Sequence, residues 1–227
     1  MPSQFGQDRF VLDVLGGMRG GFFVEVGAAD GVTDSNTDVL EKSFGWKGIC
    51  IEPNRLLFRD LVRNRRCCCV NCCVYDREGK VDFLEMKNLV SGILDEYNSR
   101  RLKRIRAAFH VPEDRKGRPG TVRRRARTMR SVLRECGAPR VIDYWSLDTE
   151  GSELAILKSF PFDEYEVRVL TVEHNRLPVR QKIREFLQAH GYARIKALSV
   201  DDCYFKGEVS RVGKRTARSG YRPRPRK

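Results

Sequence analysis

Several features are missing from this sequence of 227 residues, and each absence narrows its class. No apolar run approaches the roughly 18–20 residues that a membrane-spanning helix needs. The first residues, Met1–Asp8, lack a basic segment followed by an apolar one, so we find no secretory signal and expect a cytoplasmic, reducing location. The length is typical of one α/β domain with a substantial core.

Cysteine is present, but not in the pattern of a disulfide-rich or zinc-binding protein. Five of the eight cysteines lie within Cys67–Cys73, too close together for a disulfide framework. Cys69 and Cys72 have the spacing of a zinc knuckle, but the cysteines at 50, 136 and 203 form no second knuckle. We therefore interpret the cysteines as small buried strand residues.

The net charge of +14 is concentrated in two segments. Ser99–Arg130 contains 13 Arg or Lys against two acids, and Val209–Lys227 contains eight and no acid, so the remainder is mildly acidic. Such segments attract nucleic acid, other phosphate-bearing partners or anionic membranes, although a solvated Arg-rich surface accounts for them equally well. We predict one domain over 1–208 with a basic insertion over 99–130, followed by a disordered basic tail over 209–227.

Hydrophobic periodicity predicts an alternation of strands and helices. Strands are expected at Phe22–Gly27, Lys47–Glu52, Cys67–Val74, Lys80–Met86, Val141–Thr149, Tyr165–Glu173, Ala193–Leu198 and Asp202–Lys206, and an extended segment at Arg123–Arg127. Helices are expected at Ser3–Leu15, Asp34–Phe44, Arg55–Arg65, Leu94–Phe109, Thr128–Cys136, Glu153–Phe160 and Arg180–His190. This order favours an α/β fold with a mostly parallel, Rossmann-like sheet that has helices on both faces.

Acidic and polar residues follow four of the predicted strands. They are Glu25 with Asp30, Glu52, Asp148 with Glu150, and Glu173 with His174 and Asn175. The carboxyl ends of parallel strands meet at one edge of the sheet, where ligands bind in such folds. One acid at a strand end is ordinary, but four such groups indicate a site.

The first two strands have the design that holds a nucleoside cofactor: a strand, a glycine turn, a helix, and a strand that ends on an acid. The turn, Gly27-Ala28-Ala29-Asp30-Gly31, lacks the middle and last glycines of the dinucleotide fingerprint. An acid inside the first strand, Glu25, is hard to explain for a dinucleotide. The pattern therefore favours a methyl donor over a nicotinamide cofactor.

Several motifs of the sequence resemble those of a known family. The motifs are Ser3–Asp8, Phe23–Gly31, Ser35–Thr37, Ile51–Asn54, Asn71 with Val74, and above all Leu147–Glu153 with its Asp-x-Glu-Gly-x-Glu pattern. In this order they are similar to the FkbM-type S-adenosylmethionine-dependent methyltransferases. The resemblance implies a seven-stranded class I methyltransferase fold and O-methylation of a hydroxyl on a sugar, glycan or small molecule.

The resemblance also implies a set of residues for S-adenosylmethionine. Glu25, Gly27, Ala29 and Gly31 would surround the methionine and ribose, Glu52 would accept the ribose hydroxyls, and Asn71 would lie beside the adenine. Asp148 would lie beside the amino group of the donor or the reacting centre, and Gln4, Gln7 and Asp8 would form a lid. The remaining expected cofactor-binding residues are Ala28, Asn36, Thr37 and Pro53.

An alcohol acceptor must also lose a proton. We predict His174 as the base, because it is the only histidine at the carboxyl end of a predicted strand, and Asp148 and Glu150 as further catalytic residues. Asp148, Glu150 and Glu173 could hold Mg²⁺ or Mn²⁺, since hard cations favour oxygen ligands. Glu150 also precedes a helix, where an acid is favourable for structural reasons, so we expect no metal ligands.

Other classes of function stay open. The basic segments would suit a nucleic-acid methyltransferase, although aromatic residues for base stacking are sparse there. A non-catalytic binding protein could keep the same fold, and a nicotinamide oxidoreductase is the least favoured alternative. The acceptor, and whether the protein forms oligomers, do not follow from the sequence.

Overall fold

A computed structural model describes residues 3–86, 91–97, 99–109 and 121–207. The helices are α1 (Gln7–Val14), α2 (Asp38–Phe44), α3 (Arg55–Asn64), α4 (Ser99–Phe109), α5 (Met129–Glu135), α6 (Glu153–Ser159) and α7 (Val179–Ala189), and Leu94–Glu96 forms a 3₁₀ turn. The strands are β1 (Phe22–Val26), β2 (Lys47–Ile51), β3 (Cys68–Val70), β4 (Cys73–Val74), β5 (Gly79–Leu84), β6 (Gly92–Ile93), β7 (Val122–Arg127), β8 (Val141–Leu147), β9 (Glu166–Glu173), β10 (Ala193–Leu198) and β11 (Asp201–Phe205). The predicted tail over 209–227 and the centre of the predicted insertion lie outside the described residues.

The main sheet has seven strands in the order β10-β11-β9-β8-β1-β2-β3. The five strands from β9 to β3 are parallel, and β11 runs antiparallel to both β9 and β10. This confirms the predicted α/β class and the seven-stranded, mostly parallel sheet. Because the parallel strands run the same way, the ends of β1, β2, β8 and β9 meet at one edge.

Two apolar clusters cover the two faces of this sheet, and alternate residues of each strand enter different clusters. Phe23 packs with residues of α1, α2 and α3, including Phe10, Leu40 and Leu61. Val24, the next residue, packs with residues of α5, α6 and α7, including Met129, Ile156 and Ile183. Helices therefore lie on both faces, as predicted.

A second sheet of four strands has the order β4-β7-β5-β6. The sequence predicts one strand over Cys67–Val74, but this is wrong: Cys68–Val70 joins the main sheet and Cys73–Val74 joins the second. The predicted strand near Lys80–Met86 forms, and it pairs antiparallel with β7, the extended segment inside the predicted insertion. Part of that insertion is therefore built into the fold.

The predicted helix over Leu94–Phe109 is wrong in its first half. After the 3₁₀ turn, Tyr97 has an extended backbone (φ −83°, ψ 119°), and α4 begins at Ser99. The Tyr97 side chain is buried in a small cluster with Leu84 and Ile105. Contacts with residues outside the 3₁₀ turn bury this aromatic ring, and the predicted helix is interrupted at the same residue.

A disulfide joins Cys68 of β3 to Cys136, which caps the end of α5. The two Cα atoms are 6.2 Å apart, although 68 residues separate them in sequence. The interpretation of every cysteine as a plain strand residue is therefore wrong for this pair. The remaining six cysteines are free, and four of them, Cys50, Cys72, Cys73 and Cys203, are buried as expected.

The helices of the described residues were also compared with the length and hydropathy that a bilayer requires. None of them is long and apolar enough to cross a membrane.

Candidate active site

A cavity lies at the edge of the main sheet where β1, β2 and β8 end. Eleven of the predicted site residues line it: Gln4, Gln7, Glu25, Gly27, Ala28, Ala29, Asn36, Glu52, Pro53, Asp148 and Glu150. The other five, Asp8, Gly31, Thr37, Asn71 and His174, are not among the lining residues.

Glu25 lies inside β1 and is only 3% exposed, so its carboxylate needs donors from the protein. It accepts hydrogen bonds from the backbone N–H of Asn36 at 2.6 Å, from Thr37 Oγ1 at 2.6 Å and from Ser35 Oγ at 3.0 Å. The buried guanidinium of Arg65 lies 3.4 Å away. Glu25 therefore fixes the 35–37 segment, which brings Asn36 to the cavity, whereas Thr37 binds Glu25 and does not line the cavity.

The glycine turn after β1 needs its first glycine. Gly27 has φ 85°, a left-handed conformation that favours glycine. A Cβ atom there would lie 1.9 Å from the backbone oxygen of Asp148, so the two loops approach too closely for any other residue. Gly31 also has positive φ, and a Cβ there would meet Arg65 at 2.6 Å. Gly31 thus packs against the Glu25–Arg65 pair rather than the cavity.

Glu52 follows β2 and is held on both oxygens by backbone amides. Its Oε2 accepts from Ala29 N–H at 2.9 Å, and its Oε1 accepts from Asn54 N–H at 2.7 Å. Burial raises the pKa of Glu52 to about 7, and the nearby Glu85 adds to this. The carboxylate is therefore oriented toward the cavity before any ligand binds.

Asn71 stabilises the loop after β2 that contains Glu52 and Pro53. Its Nδ2 donates to the backbone oxygens of Glu52 at 2.7 Å and Pro53 at 3.2 Å. Asn54 caps α3, where its Oδ1 accepts from Leu56 N–H at 3.0 Å. Asn71 therefore supports the predicted cofactor-binding loop, and its contact with an adenine stays a prediction.

The N-terminal segment reaches the cavity through Gln4 and Gln7. Gln7 Nε2 donates to Asp201 at the start of β11 at 2.6 Å, which ties this segment to the far side of the main sheet. Asp8 instead accepts from Ser3 Oγ at 2.6 Å and organises the chain before α1. The predicted lid thus has two residues at the cavity and one that holds them in place.

Three carboxylates at the ends of β8 and β9 form a cluster. One oxygen each of Asp148, Glu150 and Glu173 lies within 4.8 Å of the others. Burial raises the pKa of Asp148 well above its usual range, as does the nearby Glu150. Burial, followed by the nearby Asp148, likewise raises the pKa of Glu173. Carboxylates at this separation repel one another unless a proton or a cation lies between them.

His174 follows Glu173 but is directed into the protein. Its Nδ1 accepts from the backbone N–H of Arg176 at 3.0 Å, and its Nε2 lies 3.9 Å from Asp202 Oδ1. Burial lowers the pKa of His174, followed by the nearby Arg180. The imidazole is only 3% exposed and does not line the cavity. Its role as a base stays a prediction.

The second sheet supplies a wall of the cavity that sequence reasoning missed. Cys73, Val74, Phe83 and Ile93 line the cavity, and Leu57 of α3 lies with them. These apolar residues face a site whose other walls carry Glu25, Glu52 and Asp148. The lining of the cavity therefore combines apolar and acidic residues.

This architecture agrees with a family match. The sequence profile described as the Methyltransferase FkbM domain matches residues 25–193, which run from β1 to the start of β10. The chain belongs to the FkbM methyltransferase family. The range matched by the FkbM profile contains the Gly27 turn, Glu52 and the Asp148–Glu153 motif, which are among the motifs that carry the resemblance.

Other comparisons add little to this FkbM assignment. Comparison with curated protein sequences gave no significant match. Among solved structures, the precorrin-6y C5,15-methyltransferase of Geobacter metallireducens is 10% identical with a TM-score of 0.47, covering 91% of this chain and 90% of that one. TrmK of M. capricolum, in complex with S-adenosyl-homocysteine, is 8% identical with a TM-score of 0.44, covering 92% and 70%. The N-terminal domain of human METTL16 is 11% identical with a TM-score of 0.43, covering 90% and 70%. We draw no argument from likenesses at this level.

Proposed function

We propose that this FkbM-family protein transfers a methyl group from S-adenosylmethionine to a hydroxyl oxygen of a sugar, glycan or small molecule. The observation that carries the proposal is Glu52, whose two oxygens are oriented by Ala29 and Asn54 while the carboxylate faces the cavity. A carboxylate held in this way at the end of the second strand can accept both ribose hydroxyls of a nucleoside. The apolar wall with Phe83 and Ile93 suits an adenine ring.

The charge of the cavity also favours this donor. S-adenosylmethionine carries a sulfonium and an ammonium group besides its carboxylate, and Asp148 and Glu150, two residues apart, are acids on one side of the cavity. Opposite charges at short range stabilise a bound cation. A dinucleotide would bring two negative phosphates to this side, where the acids would repel them.

Methyl transfer is an in-line displacement, so the protein chiefly aligns donor and acceptor. The acceptor oxygen forms a bond to the methyl carbon, the carbon–sulfur bond breaks, and its electron pair stays on sulfur. The hydroxyl proton passes to a carboxylate of Asp148 or Glu150, the two predicted catalytic residues that line the cavity. Both Asp148 and Glu150 lie where the cofactor-binding turn and the end of β8 meet.

A labelled methyl-donor assay against glycans, hydroxylated small molecules and RNA tests this proposal. We expect label in an ether of a hydroxylated acceptor, and loss of label with Glu52→Gln. Glu166→Gln is the matched control, because Glu166 is exposed at the opposite end of β9. Absence of donor binding by calorimetry would instead favour a non-catalytic binding protein.

A second candidate, methylation of nucleic acid, is favoured by one surface of the second sheet. Lys80 of β5 and Arg125 of β7 are exposed and directly opposite each other. Like charges facing across a strand pair are unfavourable unless an anion lies between them. RNA binding that weakens steeply with salt, and weakens further with Lys80→Gln and Arg125→Gln, would support this candidate.

A further inference from the structure

The acids around the end of the main sheet differ in their partners. Glu153 Oε1 accepts from Thr149 N–H, Thr149 Oγ1 and Gly151 N–H, at 2.9–3.1 Å. Asp201 accepts from Gln7 at 2.6 Å. In each case a nearby donor of the protein satisfies the buried carboxylate.

Asp202, next to Asp201, is satisfied by cations instead. Arg180 contributes two hydrogen bonds at 2.7 and 2.8 Å, and Arg194 contributes one at 3.1 Å. A negative charge that is 99% removed from solvent is thus compensated by two guanidinium groups. Asp202 therefore shows how this fold compensates a buried carboxylate near the same edge of the sheet.

Glu173 has no such compensation. Its side chain is 95% buried, and its Oε2 has no hydrogen-bond partner among the described residues. No described Arg, Lys or His forms an ion pair with Glu173 or Asp148 at 4.0 Å or less. Yet these two carboxylates and that of Glu150 have oxygens within 4.8 Å of one another. Glu173 thus combines a buried oxygen that has no hydrogen-bond partner with a carboxylate close to like charges, and this combination indicates a missing partner.

We propose that Asp148, Glu150 and Glu173 bind one divalent cation, Mg²⁺ or Mn²⁺, beside the methyl-transfer site. Three carboxylate oxygens are the ligands that these hard cations prefer. Around an ion with bonds of about 2.1 Å, ligand oxygens are about 3 Å apart when adjacent and about 4.2 Å apart when opposite. A mutual separation within 4.8 Å is compatible with both arrangements.

Two loops hold the proposed ligands in place. Glu150 has φ 61° and Asn175 has φ 46°, so the chain turns sharply after both β8 and β9. Asn175 Nδ2 donates to Glu150 Oε2 at 3.1 Å and thereby joins the two turns. Amide donors that orient ligating carboxylates are common around metal ions in proteins.

The position of the proposed cation narrows the class of methyl acceptor. This inference rests on the proposed function. Asp148 and Glu150 line the cavity, whereas Glu173 lies behind them, so the open coordination positions of the cation face the cavity. An acceptor with two oxygens on adjacent carbons, such as a vicinal diol of a sugar, could occupy two of these positions. The cation would then orient the hydroxyl and favour loss of its proton to a carboxylate or water.

Binding of Mn²⁺ to the chelator-treated full chain tests the site without an activity assay. Electron paramagnetic resonance should show one bound Mn²⁺ per chain, displaced by Mg²⁺. We expect Glu173→Gln and Asp148→Asn to weaken Mn²⁺ binding at least tenfold, and the control Glu166→Gln to leave it unchanged. Circular dichroism checks that each variant still folds, and calorimetry with S-adenosyl-homocysteine checks that Glu173→Gln still binds the donor product.

The outcomes separate the cation site from the proposed function. Mn²⁺ binding that depends on Glu173 supports the site, even when the wild-type chain fails to bind S-adenosyl-homocysteine and the methyltransferase proposal falls. No Mn²⁺ binding at millimolar concentration by a chain that binds S-adenosyl-homocysteine would overturn the site. Equal Mn²⁺ binding by wild type and Glu173→Gln would overturn it as well. In either case the cluster would have to hold a shared proton.

Discussion

The Oε2 atom of Glu52 lies 2.9 Å from the backbone nitrogen of Ala29, and this hydrogen bond joins the ends of β1 and β2 beside the cavity. Ala29 has φ 48°, an uncommon conformation for a residue with a side chain. The hydrogen bond stabilises this conformation and orients the carboxylate at the same time. The glycine turn after β1 and the acid that we propose to bind the ribose are therefore one structural unit.

Replacement of Glu52 tests that unit. In Glu52→Gln, one oxygen becomes an NH₂ group, which cannot accept from Ala29 N–H or Asn54 N–H and also weakens the bonds to ribose. Hydrogen bonds to a charged group contribute about 1.5–3 kcal/mol, so we expect donor affinity to fall about 10–100-fold. Calorimetry with S-adenosyl-homocysteine measures this loss. Unchanged affinity would remove Glu52 from the proposed ribose site.

Donor binding should also depend on pH through Glu52. Its pKa in the folded protein is about 7, and only the ionised form accepts from both ribose hydroxyls. We expect affinity to fall about tenfold as the pH decreases from about 8 to about 6, and to depend less on pH in Glu52→Gln. Stability changes in the opposite direction: because the pKa is raised from 4.5, this carboxyl lowers the free energy of unfolding as the pH rises from about 4.5 to about 7.

Gly27→Ala should disrupt the contact between the cofactor turn and the loop after β8. The added Cβ would lie 1.9 Å from Asp148 O at a residue with positive φ, so we expect a loss of at least about 2 kcal/mol in the free energy of unfolding. Gly45→Ala is the matched control, with φ 70° and no atom within 4 Å of its added Cβ. It should lower stability by only about 1 kcal/mol and keep donor binding. Equal losses in denaturant unfolding would contradict the close approach.

Much of the main sheet could be predicted because its strands carry strong local signals. β8 is a run of seven residues, six of them buried, and β1 has the glycine turn and Glu25. The acids that follow β2 and β8 could be placed at one edge since parallel strands run the same way. Eleven of the sixteen predicted site residues accordingly line the cavity.

The second sheet could not be predicted in the same way. β4 and β6 have only two residues each, too few for a periodic pattern. β4 pairs with β7, about 50 residues further along the chain, and β6 pairs with β5. The sequence places Asn71 within a predicted strand and His174 at the end of another, but it does not give the direction of either side chain. The hydrogen bonds of Asn71 to the loop after β2 and of His174 to Arg176 could therefore not be predicted.

The disulfide gives a prediction that the sequence alone could not make, because Cys68 and Cys136 are distant in the chain. In the isolated protein, thiol titration under denaturing conditions without reductant should count six thiols, and eight after reduction. Cys136→Ser should lower the free energy of unfolding by about 2–4 kcal/mol, since the bond restricts the unfolded chain. Cys203→Ser, a buried free cysteine in β11, is the control for loss of a sulfur atom. Eight thiols before reduction would contradict the bond.

The variant His174→Asn distinguishes two roles of His174, that of a general base and that of a residue that only positions the chain. Asn can keep an acceptor for the N–H of Arg176, which His174 Nδ1 accepts at 3.0 Å, but it cannot take a proton from a substrate. Loss of a general base typically lowers turnover by 10²–10⁴-fold. Because the imidazole faces Asp202 and does not line the cavity, we expect a loss of less than about tenfold and unchanged donor affinity. A hundredfold loss of turnover with intact donor binding would restore His174 as the base, and the cavity would then have to open toward it during catalysis.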